Sequence, residues 1–214
     1  LRLGGSLLWY WDIRGLHFEG RTRLSRILAL PGAAGRTLAR AKALLVAGFL
    51  ASDQSDLQSA SELCAESLSI YQEHDDVRGI AQALVPLGWV AQHQGNLVAA
   101  EARYRESLEL HRSLGNRPGC SFALLWLGTL AQRRGDWAAA RDLLETSLQI
   151  DRELVNPRSV AFTLSKLGDV AVRSGDLQTA RKCFEESRVY ARETNDRWSE
   201  MQSLAGLGDV SLAQ

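Results

Sequence analysis

The chain has 214 residues, 45% of them hydrophobic and 23% charged, with 25 Lys+Arg balanced by 25 Asp+Glu. That apolar share suffices for a continuous core and that charged share for a hydrated surface, while the zero net charge argues against a dedicated nucleic-acid or anionic-membrane surface. No apolar run approaches the ~20 residues a membrane span needs. The opening Leu-Arg-Leu-Gly-Gly makes a poor secretory signal, and a start without Met is expected of a segment taken from something longer. Three scattered cysteines, Cys64, Cys120 and Cys183, with no Cys-x-x-Cys, read as reduced thiols of a cytoplasmic protein.

Along the chain the elements are helices, and they recur. Offset by forty, the sequence aligns Gly48, Gly88, Gly128, Gly168 and Gly208, preceded by Ala47, Leu87, Leu127, Leu167 and Leu207. Seven residues on come Gly95-Asn96, Gly135-Asp136 and Gly175-Asp176, with Ser55-Asp56 in the first copy. An alanine column (Ala60, Ala100, Ala140, Ala180) and a serine column (Ser67, Ser107, Ser147, Ser187) follow.

In one copy, residues 80–94 place Leu84, Leu87, Val90 and Ala91 at helical spacing. Residues 97–114 do the same through Leu97, Ala100, Tyr104, Leu108 and Leu110. Between them Gly supplies a left-handed stop and Asp or Asn caps the next helix. So short a link makes the two helices antiparallel neighbours, with the Gly88 and Ala100 columns at the close approach. The turns between copies vary in sequence, from His74-Asp75-Asp76 to Asn156-Pro157.

The expected fold is all-α, a right-handed α-solenoid of antiparallel helix pairs in one continuous domain. A degenerate N-terminal pair over 1–38 precedes repeats at 39–78, 79–118, 119–158 and 159–198. The first helix of a truncated fifth repeat then occupies 199–214. One hairpin cannot bury its own apolar face, so stacking creates the core.

These columns resemble the tetratricopeptide (TPR) repeat, whose usual unit is ~34 residues. The small-residue pattern falls on Gly88, Ala91, Ala100 and Ser107. The bulky second-helix position falls on Tyr104, with Cys64, Leu144 and Phe184 in the other copies. The six extra residues are expected in longer helices and longer turns between repeats. Long repeats of the flavour LG-x-VA-x-x-x-GD-x-x-A look like two groups, the sensor arrays of bacterial signal-transduction ATPases of the maltose-activator class, and adaptors such as the kinesin light chain. Trp9-Tyr10-Trp11, Gly15, Glu19-Gly20-Arg21, Leu24, Ile27 and Leu28 resemble the helix pair that often precedes the repeats of the first group. That resemblance implies the sensor or interaction segment of a larger cytoplasmic regulator. No phosphate-binding Gly-x-x-x-x-Gly-Lys occurs within the chain.

No catalytic, cofactor or metal site is legible. His17, His74, His93 and His111 form no His-x-x-x-His pair and read as surface residues. Cys64 and Cys183 read as small buried hydrophobes, leaving Cys120 as the thiol to test. The Glu101/Glu106 and Glu185/Glu186 carboxylates read as solvated helix faces beside arginines. A serine repeated in four hairpins reads as structural.

Function is therefore expected in columns that change from copy to copy on the concave face of the first helices. One runs Phe49, Trp89, Thr129, Asp169 and Asp209; others include Gln92 and Gln132, and His93, Arg133 and Arg173. The expectation is an apolar anchor at Phe49 and Trp89, with Gln92, His93, Thr129, Gln132, Arg133, Asp169 and Arg173 completing a groove. The equal alternative is that the N-terminal pair covers Phe49 and Trp89. The expected ligand is a protein, a peptide or a small inducer, without direct nucleic-acid or membrane contact. The competing expectation is a scaffold that dimerises through its uncapped C-terminal helix. Pro86 is expected to kink its helix, Trp126 and Trp137 to pack, and Trp198 to be exposed.

Overall fold

The computed structural model describes Trp11 and residues 16–213. Among these residues there are ten α-helices and no strand. They are α1 (His17–Leu28), α2 (Leu38–Asp53), α3 (Leu57–Glu73), α4 (Val77–His93), α5 (Leu97–Ser113), α6 (Arg117–Arg133), α7 (Trp137–Glu153), α8 (Pro157–Arg173), α9 (Leu177–Glu193) and α10 (Arg197–Leu212). The chain divides into two compact units, Leu1–Gly115 and Asn116–Gln214. Within the expected N-terminal pair, Trp9, Tyr10 and Gly15 lie outside the described residues.

The backbone repeats every twenty residues, half the sequence period. Each helix from α3 to α9 has 17 residues. Every linker from residue 54 onward has three, the middle one left-handed. Gly95, Gly115, Gly135 and Gly175 hold that conformation in four linkers, and Ser55, Asp75, Val155 and Asn195 hold it in the others. The third linker residue is always Asp or Asn, and its side chain accepts the backbone N–H three residues on, as in Asp76 with Gly79 at 3.0 Å and Asn96 with Ala99 at 3.1 Å. The same residue donates its own N–H back to the preceding helix, as from Asp76 to the Tyr71 carbonyl at 2.9 Å and from Asp176 to the Ala171 carbonyl at 2.9 Å. One dipeptide thus closes one helix and opens the next. The turns between pairs vary in sequence but not in geometry, so the length beyond the usual TPR unit resides in the helices alone.

Within each pair the repeated columns do the packing. A Cβ built on Gly88, Gly128 or Gly168 would lie 2.5 Å from the Tyr104 ring, 2.7 Å from Leu144 and 2.5 Å from the Phe184 ring respectively. Glycine therefore makes room for the bulky side chain of the second helix. The serine column bonds across the pair. Ser67, Ser107, Ser147 and Ser187 donate to the carbonyls of Ala41 (2.8 Å), Ala81 (2.7 Å), Ser121 (2.9 Å) and Ala161 (2.7 Å). These hydroxyls are fully buried, and each gains a net stabilisation of about 1 kcal/mol from its bond.

In the first unit, Trp11 and Leu24 pack on Ala43, Val46, Ala47 and Leu50 of α2. Arg40 ties down the end of α1, bonding Glu66 at 2.8 Å and the Leu28 and Ala33 carbonyls at 3.3 and 2.8 Å. Arg21 reaches Gln54 at 2.9 Å and pairs with Asp56, which pulls that carboxyl down to about 2. The α4 helix continues through Pro86, which is buried. In the second unit, Leu125, Leu144, Leu148, Val160 and Leu164 form the core between α6, α7 and α8. Trp137 is half-buried against this cluster, whereas Phe184 joins α9 to Val210 of α10.

Two readings change. His111 is 3% exposed and burial pushes its imidazole pKa down, so it is a core residue and not a surface one. It stands in a buried column with Tyr71, Asp151 and Ala191, where helical register buries whatever residue is present. Cys183 is half-buried like Cys120, and burial pushes its thiol up to about 11.

Candidate functional site

The first helix of each pair keeps one face uncovered by its own second helix, and first helices touch one another in sequence: α2 with α4 in the first unit, α6 with α8 and α8 with α10 in the second.

In the first unit Phe49 is half-buried against the cluster that holds Leu45, Ala83 and Leu87. Trp11 and Leu24 pack on other α2 residues, Ala43, Val46, Ala47 and Leu50, while Leu28 of α1 and Ile80 of α4 pack against the same cluster as Phe49. Trp89 is half-buried against Ala51, Ala60 and Val90, and its ring lies 3.7 Å from the imidazole of exposed His93. The His93 Nδ1 sits 2.9 Å from the Trp89 carbonyl oxygen. Gln92 is only 4% exposed, and its Oε1 accepts the Tyr104 hydroxyl at 3.2 Å. Its polar end is engaged inside the pair, so Gln92 is placed as a packing residue rather than a groove residue.

In the second unit Thr129 is 8% exposed and donates to the Trp126 carbonyl at 2.9 Å, again turned inward. Gln132 is half-buried, and Arg133 and Arg173 are exposed at the ends of α6 and α8. Asp169, Val172 and Arg173 of α8 and Asp209 of α10 line a cavity of about 340 Å³ that also touches Phe184. Burial raises the Asp169 pKa and the Asp209 charge adds to the rise, against the opposing pull of Lys166, whose ammonium is 3.4 Å away. Asp169 and Arg173 are thus brought together; Thr129 is not part of that cavity lining.

Toward the start of α8 and α10 lies an aromatic patch that the sequence reading passed over. Phe162 and Trp198 stack with centroids 5.2 Å apart, and the Lys166 ammonium lies 5.6 and 5.7 Å from the two rings. Trp198 is 45% exposed, as expected, and Phe122 is exposed beside half-buried Trp126, the two rings edge-on at 6.1 Å. The column Lys42, Gln82, Phe122, Phe162, Gln202 changes from copy to copy as much as the Phe49 column does, and the same criterion would have found it. The aromatic character is therefore not confined to the N-terminal end.

Among the described residues no cluster of three or more His, Cys, Asp or Glu could hold a metal ion, and no helix is long and apolar enough to cross a membrane. Helix pairs with glycine, alanine and bulky positions in this register define a TPR-type repeat protein. More specifically, residues 31–214 match the MalT-like TPR region, and the chain belongs to that family. No curated protein matches it. Solved structures share the fold. A Rap protein complexed with Competence and Sporulation Factor superposes with a TM-score of 0.86 at 13% identity, covering 96% of this chain and 60% of that one. The apo form of RapI gives 0.70 at 12% identity, covering 96% of this chain and 81% of that one. BtubC (BKLC) from P. vanneervenii gives 0.63 at 20% identity, covering 91% and 79%. This chain therefore spans three-fifths of the length of the first of these, and at such identities the likeness is one of fold.

Proposed function

We propose that this chain is a non-catalytic array that binds a protein or peptide on its first-helix faces, as the sensor or interaction segment of a larger cytoplasmic regulator. The observation that carries this is the pair of features on α8 and α10, the stacked Phe162 and Trp198 beside an open cavity at Asp169 and Arg173. The repeated columns are consumed by packing, whereas these residues change between copies and stay accessible. Aromatic and arginine side chains in such positions are the usual anchors of a binding surface. Membership of the MalT-like TPR family supports the regulator context, and the Rap complex with Competence and Sporulation Factor supports a bound partner on this fold.

The test is positional photo-crosslinking. A photoreactive amino acid placed at Phe122, Phe162 or Arg173 should capture the partner from a lysate of the source cells, and one placed at Val98 or Val189 on second helices should not. Capture from second-helix positions alone would defeat the proposal.

A second reading has its own observation. On α10, Met201 (58% exposed), Leu204 and Leu212 form an exposed apolar stripe, and a Cβ on Gly208 would meet nothing within 4 Å. This favours self-association through α10, which light scattering would report as a dimer mass lost on Leu204→Glu.

A further inference from the structure

The cavity between α8 and α10 holds charges of both signs beside an apolar wall, all within the second unit. The ion pairs of these two helices are Arg158 with Asp196, Lys166 with Asp169, and Glu200 with Arg188 and Arg192. Asp169 is thereby matched. Asp209 and Arg173, the other charged groups of the lining, form no ion pair among the described residues, with each other or with a third group. Both are exposed.

Folding does not account for the Asp209 carboxylate. It lies in the last turn of α10, where the negative end of the helix dipole disfavours an anion. Packing does not require an acid there either, since Phe49, Trp89 and Thr129 fill the same position in the first three copies. The apolar part of the lining is peculiar to this copy as well. Position 172 is Val where the two preceding copies have Gln92 and Gln132, and Val172 packs on the cluster that holds Ala171, Phe184 and Val210. Residues that break a local rule without a gain in stability are where function is expected. The volume of about 340 Å³ is at the low end of ligand pockets, which run from ~300 to ~1,000 Å³, and suits a small molecule.

We propose that this cavity binds a free amino acid with an aliphatic side chain, its ammonium on Asp209, its carboxylate on Arg173 and its side chain over Val172. The guanidinium offers a carboxylate two parallel hydrogen bonds, and the ammonium offers its donors to an acceptor-only group. A lone cation would face Arg173 in this cavity, and a lone anion would face Asp169 and Asp209. The zwitterion meets neither repulsion, which makes the site selective as well as attractive. The site adds a small ligand to the partner-binding role given above and rests on that role only in sharing its face.

The experiment is an amide chemical-shift titration of the full chain with L-leucine, L-leucinamide and 4-methylpentanoate. The last two keep the leucine side chain and lack the carboxylate and the ammonium respectively. Leucine should give saturable shifts at Val172, Arg173 and Asp209 with a Kd of about 5 mM or tighter, and each of the other two should bind about tenfold or more weakly. Arg173→Gln should weaken leucine about tenfold and leave leucinamide no weaker than before. Asp209→Asn should weaken leucine by a similar factor and leave 4-methylpentanoate no weaker. Both replaced side chains are exposed, so the melting temperature should stay within a few degrees in each variant. Leucine that does not saturate in that range, a leucinamide or 4-methylpentanoate as tight as leucine, or an affinity for leucine unmoved by either variant overturns the proposal. If leucine fails and a photoreactive group at Phe162 still captures a partner, the partner-binding role stands and only the amino-acid site falls.

Discussion

Gly168 and Gly208 occupy the same column, yet substitution by Ala should shift stability in opposite directions. At Gly168 the added Cβ would lie 2.5 Å from Cε1 and 2.7 Å from Cζ of Phe184. That ring cannot retreat. It is fully buried, and Gly206 of α10 also abuts it so closely that a Cβ there would clash with its Cζ, Cε1 and Cε2. Replacing a mid-helix glycine by Ala gains about 0.5–1 kcal/mol of backbone entropy. Overpacking a filled core costs about 1–3 kcal/mol. Gly168→Ala should therefore destabilise by roughly 1–2 kcal/mol. At Gly208 no atom lies within 4 Å, so only the backbone gain remains and Gly208→Ala should stabilise by roughly 0.5–1 kcal/mol. Both sites lie in the second unit, so urea unfolding followed by circular dichroism and by amide exchange in α8 and α10 compares them on one cooperative body. A stabilised Gly168→Ala, or a Gly208→Ala destabilised by the same amount, would refute the packing role of this column.

Val155 holds a left-handed φ of 52° with a β-branched, solvent-exposed side chain. Val155→Gly should relieve about 1–2 kcal/mol of that cost less the entropy glycine gives back, a net gain near ~1 kcal/mol measurable as a higher urea midpoint. Ser165 is buried in a column otherwise filled by Leu45, Val85 and Leu125, and among the described residues its hydroxyl has no hydrogen-bond partner. Ser165→Ala should stabilise by about 1 kcal/mol in the same assay, and a loss of stability would show that the hydroxyl is satisfied. Asp151 is buried and accepts the Ser121 hydroxyl at 2.6 Å and the Thr163 hydroxyl at 3.2 Å; burial raises its pKa despite these bonds. A carboxyl whose folded pKa lies above its unfolded one adds stability below the unfolded value and loses it as pH rises through the folded value. The stability of Asp151→Asn relative to the native chain should accordingly improve as pH rises from about 4 to 7, and a flat difference would contradict the assignment.

The fold was legible because the packing residues repeat. Gly88 with Tyr104, and Ser107 with the Ala81 carbonyl, recur every forty residues and so stand out without an alignment. The twenty-residue backbone repeat was less visible, because Ser55, Asp75, Val155 and Asn195 adopt the left-handed turn without the glycine that usually marks it. The site was legible only in part. Copy-to-copy variation pointed at the face that carries Asp169 and Arg173, but could not tell an outward side chain from Gln92, which turns inward to Tyr104. Variation also reports nothing about depth, so His111 reads as a surface residue although its helical register buries it.

The most direct test of the binding face compares two exposed apolar-to-Ser double variants, one on first helices and one on second helices, for affinity toward the crosslinked partner. Phe122→Ser/Trp198→Ser removes exposed aromatics from first helices, and Val98→Ser/Val189→Ser removes exposed apolar side chains from second helices. Loss of about tenfold or more in affinity is expected for the first pair, as for truncated anchor residues, with less than about twofold for the second. Equal losses, or a larger loss from the second-helix pair, would contradict the placement of function on the first-helix faces.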